Sequence, residues 1–139
     1  MPRTGPIIVI DDDPDDQEMI QRILGKMNLE NEVKKFLDGE DAFTYFLQTS
    51  DRPLLVLCDI NMPRMNGIEL KQQIEDDTVL CGKRMPFVFL STTANPDQII
   101  KAYNISCQGF FIKGQTFSEL KETVYRIVSY WKHCEYPSV

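Results

Sequence analysis

The sequence contains a single histidine, His133, and four cysteines, Cys58, Cys81, Cys107 and Cys134, none of them in a C-x-x-C spacing. Zinc sites need clustered Cys and His ligands, so a zinc-built fold is excluded and the cysteines read as reduced, mostly structural thiols. No apolar run nears the roughly 20 residues needed to cross a bilayer. Residues 1–6 also lack a basic segment followed by an apolar one. A secretory leader and a membrane span are therefore not expected, and the chain reads as cytoplasmic. Positive charge is scarce: 15 Lys and Arg stand against 21 Asp and Glu, a net charge of −6. Nucleic-acid binding relies on Lys and Arg to neutralise phosphates, so direct DNA binding is not expected. Repeats, low-complexity tracts and internal linkers are absent too. With 139 residues, 42% of them hydrophobic, the chain is expected to form one domain with its core over about residues 6–132 and no output domain.

What is present is an alternation. Short apolar runs at residues 7–10, 54–58, 86–90 and 110–112, with a weaker mixed one over 32–37, have the length and β-branched or aromatic content of strands. Between them lie helical spacings. Met19, Ile20, Ile23, Leu24 and Met27 share one face, as do Ala42, Phe43, Phe46 and Leu47, then Ile68, Leu70 and Ile74. Asn95-Pro96-Asp97-Gln98 reads as an N-cap, a proline at N1 and a capping-box glutamine, opening a helix with Ile99, Ile100, Ala102 and Tyr103. Thr116 and Glu119 read as a capping box for a last helix with Phe117, Leu120, Val124, Ile127, Val128 and Trp131 inward. Residues 75–84 carry no pattern. Five strands alternating with five helices predict an α/β fold, a flavodoxin-like doubly wound parallel sheet of order 2-1-3-4-5.

Polar residues fall where these strands end. Asp11 and Asp12 follow the first strand, Asp59 the third, Ser91 the fourth and Lys113 the fifth. In an open α/β sheet those ends share one edge, the usual ligand crevice. Carboxylates about 4 Å apart repel by about 4 kcal/mol at an effective dielectric of 20, so the cluster should take up a proton or a cation. Oxygen-only donors favour Mg2+. Such a pocket, beside a lysine and a hydroxyl, suits a phosphoryl group, with Asp59 as nucleophile and an aspartyl phosphate as product. An EF-hand reading of the acidic run fails, since its sixth position is Asp16 and its twelfth Arg22. Asp15 and Asp16 read as the solvated start of a helix.

Ile10-Asp11-Asp12, the run from Asp59 through Asn61, Met62, Pro63 and Arg64 to Gly67, then Leu90-Ser91-Thr92 and Phe110-Phe111-Ile112-Lys113 together resemble the receiver domain of two-component response regulators. The likeness is to the stand-alone, chemotaxis-type regulators. It implies that Asp59 accepts phosphate from a histidine kinase and that Asp12 and Asp59 bind Mg2+ directly. Asp11 would bind the ion through water and Asn61 through its backbone carbonyl. Ser91 would be the switch hydroxyl, Lys113 the phosphate-pairing lysine and Phe110 the aromatic that moves inward with Ser91. It further implies a partner kinase or phosphotransfer protein, a downstream protein target, a monomer or homodimer, and signalling through the fourth long helix, fifth strand and last helix. No enzymatic role beyond self-catalysed phosphotransfer and dephosphorylation at Asp59 is implied. Three residues depart from the pattern: Ser91 replaces threonine, Phe110 replaces the frequent tyrosine, and Gly114 replaces the proline of a cis Lys-Pro bond. A cis bond without proline costs about 2.5–4 kcal/mol, which predicts a trans, reshaped loop after Lys113.

Two other functions compete. A phosphohydrolase of the haloacid-dehalogenase type needs an acid two residues after its nucleophile, where this chain has Asn61. A phosphorylation-independent interaction module would retain the fold without phosphotransfer, against which the intact acids weigh.

Overall fold

A computed structural model describes residues 4–135. The elements run β1 (Ile7–Ile10), α1 (Pro14–Gly25), β2 (Val33–Phe36), α2 (Gly39–Gln48), β3 (Leu55–Cys58), α3 (Gly67–Asp76), α4 (Thr78–Gly82), β4 (Phe87–Ser91), α5 (Pro96–Asn104), β5 (Gly109–Ile112) and α6 (Phe117–His133). All neighbouring strands are parallel, in the order β2-β1-β3-β4-β5. The sheet and the five long helices match the expected architecture. The sixth helix, α4, is a single turn in the stretch that showed no pattern. It is capped by Asp77, which accepts hydrogen bonds from the N–H groups of Val79 and Leu80, and it drives Leu80 into the core. One turn is too short to express a 3.6-residue period.

Side-chain alternation along the central strands divides the core in two. Ile8, Ile10, Val56, Cys58, Phe87 and Phe89 pack under α2, α3 and α5, with Ala42, Phe46, Leu70, Ile74 and Ala102. On the other face Ile7, Val9, Leu55, Leu57, Val88 and Leu90 pack against Ile20, Ile23 and Leu24 of α1 and Leu120, Val124, Ile127 and Val128 of α6. Strands buried on both faces explain why β1, β3 and β4 read as unbroken apolar runs.

The outer elements depart from expectation. Phe111 and Ile112 of β5 are each 38% exposed, because β5 is an edge strand. Ile100 and Tyr103 of α5 lie outward at 60% and 54%, leaving Ala102 as its buried residue. Leu47 of α2 also faces solvent, and Phe117 of α6 is partly exposed.

Local chemistry fixes the helix starts. Asp13, Asp38, Asn66, Asn95 and Thr116 each accept a backbone N–H of the following turn, which satisfies donors that a helix start otherwise leaves unpaired. The reciprocal capping box is complete at Asn66 and Glu69. At α6 the Glu119 carboxylate accepts instead from the Thr116 hydroxyl and the Gln115 N–H.

Candidate functional site: a carboxylate pocket at the strand ends

Asp59 is the first residue past β3. Its N–H donates to the Ile10 carbonyl at 2.8 Å, so the ladder continues one step beyond the strand and fixes its backbone. Its Oδ1 accepts the Ile60 N–H at 2.8 Å, which leaves Oδ2 directed at the pocket, 3.6 Å from Lys113 Nζ. The loop then doubles back, with the Gly67 N–H donating to Ile60 O at 2.9 Å. A Cβ on Gly67 would lie 2.2 Å from the Asp59 carbonyl oxygen, so only glycine allows this close return.

Asp11 follows β1 and is buried, while Asp12 is exposed. Asp11 Oδ1 accepts the Asp13 N–H at 3.0 Å, a turn that delivers Asp13 to its place as N-cap of α1. Behind it, the Gln17 amide donates to Phe36 O at 2.6 Å and Asp11 O at 3.2 Å, tying the ends of β1 and β2 to α1. One carboxylate oxygen from each of Asp11, Asp12 and Asp59 lies within 4.8 Å of the other two. These hard oxygen donors, partly open to water, fit a divalent cation of the Mg2+ or Mn2+ kind.

Lys113 is buried one residue past β5. Its N–H donates to Ser91 O at 2.8 Å. Its ammonium donates to Asp11 Oδ2 at 2.6 Å and to Asp16 Oδ2 at 2.8 Å. Among the described residues there is no cis peptide, and Gly114 has φ +83°. The loop is therefore trans and reshaped as expected, along a path that proline, fixed near −65°, could not follow. A Cβ there would also lie 2.6 Å from Glu119 Cβ.

The remaining expected residues are distributed around this group. Ser91 is fully buried at the end of β4, its Oγ accepting the Thr93 N–H at 3.4 Å. Phe110 is half-buried, its ring centroid 6.3 Å from that of Phe89. The Asn61 side chain accepts from Gln98 Nε2 at 3.0 Å. Gln98 thus reaches across to the β3–α3 loop, where the sequence suggested a capping-box partner for Asn95.

Asp16 is the main correction to the sequence reading, being an ion-pair partner of Lys113 and not a merely solvated acid. Counting from the N-cap at Asp13 it occupies N3, from which a side chain reaches back over the cap. That spacing was the available signal. Gln17 and Gln98 carried no comparable one.

Burial pushes the Asp59 carboxyl up to about 6, with Lys113 pulling against it and the charge of Asp11 adding to it. Asp11 is raised by the same cause, with its Lys113 hydrogen bond opposing. For Lys113, burial favours the neutral amine, but the hydrogen bonds to Asp11 and Asp16 outweigh it and raise the ammonium pKa. At neutral pH the pocket therefore holds an ionised nucleophile-grade carboxylate beside a firmly charged lysine.

Residues 7–125 match the sequence model of the response regulator receiver domain. The chain is 29% identical over 130 residues to the response regulator Rcp1 of Synechocystis, covering 90% of this chain and 87% of that protein. It is 31% identical over 121 residues to the chemotaxis protein CheY of Pseudomonas aeruginosa, covering 87% and 94%. Among solved structures, the phosphorylated cyanobacterial phytochrome response regulator RcpA superposes with a TM-score of 0.85 at 31% identity, over 93% of this chain and 94% of that one. The Mn2+-bound form of Rcp1 gives 0.85 at 27% identity, over 97% and 99%. With its 2-1-3-4-5 sheet and a carboxylate pocket at the strand ends, the chain belongs to the response regulator receiver domain family.

Proposed function

We propose that the protein is a phosphorylation-operated signalling switch in which Asp59 accepts a phosphoryl group from a phosphohistidine of a sensor kinase or phosphotransfer protein. The observation that carries this reading is the setting of Asp59: one carboxylate oxygen is held by the Ile60 N–H, while the other lies 3.6 Å from Lys113. An Asp59 oxygen attacks phosphorus, the bond from phosphorus to the donor imidazole breaks, and the departing imidazole takes a proton from water. Lys113 then pairs with a phosphoryl oxygen and the Ser91 hydroxyl donates to another. Asp11, Asp12, Asp59 and the Asn61 carbonyl would hold Mg2+, which when bound neutralises phosphoryl charge.

The conformational response follows as a shift of populations. Ser91 turning toward the phosphate vacates space next to β4, and Phe110, only half-buried in the resting protein, fills it. The surface of α5, β5 and α6 changes as a result. Support for that surface as the contact face comes from its exposed apolar residues, Ile100, Tyr103, Phe111, Ile112, Tyr125 and Tyr130. Such a chain works by binding a target protein and has no classical enzymatic role.

The test is intact mass after incubation with acetyl phosphate, with and without Mg2+, for wild type and Asp59→Asn. One labile phosphoryl adduct that requires Mg2+ and is lost in the variant is the expected result. A folded wild type that takes no phosphate would replace this reading with a phosphorylation-independent interaction module.

A further inference from the structure

An ammonium group has three N–H donors. Lys113 directs two of them to Asp11 and Asp16, at 2.6 and 2.8 Å, while Asp59 Oδ2 at 3.6 Å is beyond hydrogen-bond reach. Asp16 differs from the other two acids: it comes from the first turn of α1 and is not one of the three clustered carboxylates. The pair it forms is mostly shielded, with side-chain exposures of 6% for Lys113 and 21% for Asp16, so solvent weakens it only in part. The backbone of Lys113 is held by its N–H bond to Ser91 O at 2.8 Å, which leaves its long side chain to be placed by the carboxylates it reaches. The position of Nζ is therefore set by carboxylates, and one of them draws it away from the reacting atom.

The geometry points to Asp16 as a positioning residue that acts as a brake on phosphorylation, holding Lys113 short of Asp59 until a phosphoryl group competes for it. This rests on Asp59 being the phosphoacceptor. Asp16 acts through the lysine: its grip on the ammonium must loosen for Lys113 to reach a phosphoryl oxygen. Loss of one shielded, charge-assisted hydrogen bond corresponds to a rate change of about five- to tenfold.

The experiment measures the rate of phosphorylation by acetyl phosphate in saturating Mg2+ for wild type, Asp16→Asn, Asp16→Glu, Lys113→Gln and the Asp16→Asn, Lys113→Gln pair. Asp16→Asn should react about five- to tenfold faster than wild type, and Asp16→Glu should stay slow because it keeps the charge. With Lys113→Gln already present, Asp16→Asn should have almost no effect, since the brake works through the lysine. A second readout needs no phosphate: in 15N-lysine-labelled, metal-free protein, a slowly exchanging Lys113 ammonium signal should broaden in Asp16→Asn. An unchanged or lower rate in Asp16→Asn overturns the proposal. So does equal acceleration in both backgrounds, which would reduce Asp16 to a diffuse field effect. If wild type takes no phosphate, the reading of Asp59 fails and the brake with it. If wild type is phosphorylated and only the Asp16 effects are missing, the brake alone falls.

Discussion

Replacing Asp59 by asparagine should make the metal-free protein more stable at neutral pH, and the gain should fade in acid. Asp59 is pushed up from 3.8 to about 6, first by burial and then by the charges of Asp11 and Asp12, an outcome that already includes the attraction of Lys113. A raised carboxyl pKa means that the native state holds its proton more tightly than the unfolded chain does. Stability is therefore lost as pH climbs from about 4 to about 6, and the loss is complete above that window. At about 1.36 kcal/mol per decade the shift is worth about 3 kcal/mol. Solvent at the pocket mouth and dissolved salt reduce this to about 1.5 kcal/mol. Asparagine removes the charge while its side-chain oxygen can still accept the Ile60 N–H. Urea denaturation in EDTA, followed by circular dichroism at pH 4, 6 and 8, reads the difference. The variant should lead by about 1.5 kcal/mol at pH 8, or about 5 °C in Tm for a domain of this size, and by nearly nothing at pH 4. A difference independent of pH, or a variant less stable than wild type at pH 8, would refute the reasoning.

The same carboxylates should make stability depend on a divalent cation. Mg2+ at a hundred times its Kd should stabilise wild type by about 2.7 kcal/mol in thermal unfolding, and Asp12→Ala, at an exposed position, should raise the metal-free melt slightly by removing a repelling charge while abolishing that gain. Gly67→Ala places a methyl 2.2 Å from the Asp59 carbonyl, so urea midpoints should fall by about 2 kcal/mol or more, with phosphorylation lost alongside. Phe46→Ala, at a residue 1% exposed under the sheet, should cost about 3–5 kcal/mol by the same assay.

The legible parts of the fold were those where a single physical demand acts on several consecutive residues. A strand covered on both faces must be apolar at every position, and Ile7–Ile10, Leu55–Cys58 and Phe87–Leu90 announce it. Their order followed from the strand–helix alternation, parallel crossover rules and the doubly wound order that suits five strands. Apolar character and burial separate at the outer elements. Ile100, Tyr103, Phe111 and Ile112 have core composition but face solvent, because α5 touches the core mainly through Ala102 and β5 has no strand beyond it. Periodicity reports which residues share a face and is silent on whether anything covers it. The exposed set gathers on α5 and β5, part of the face proposed for signalling.

Within the pocket, Asp11, Asp12, Asp59 and Lys113 were identified by one rule, that polar residues directly after parallel strands meet at one edge. Asp16 escaped that rule because it comes from a helix. Its five neighbours in the run from Asp11 to Asp16 are chemically similar at the level of sequence, apart from Pro14, and only the turn made by Asp11 and Asp13 decides which of the acids points inward. That turn starts α1 so that N3 reaches the end of β5, with β3 and β4 lying between β5 and β1, and Asp16 meets a lysine 97 residues distant. The chain turns after Lys113 at φ +83°, where a proline could not follow, while Ser91 O holds the lysine's backbone N–H and Asp11 and Asp16 hold its ammonium. The acid on α1 and the glycine after the lysine both bear on Lys113, one through its ammonium and one through the turn that follows it. Substituting either should therefore change how Lys113 responds to phosphate at Asp59 before it changes the fold.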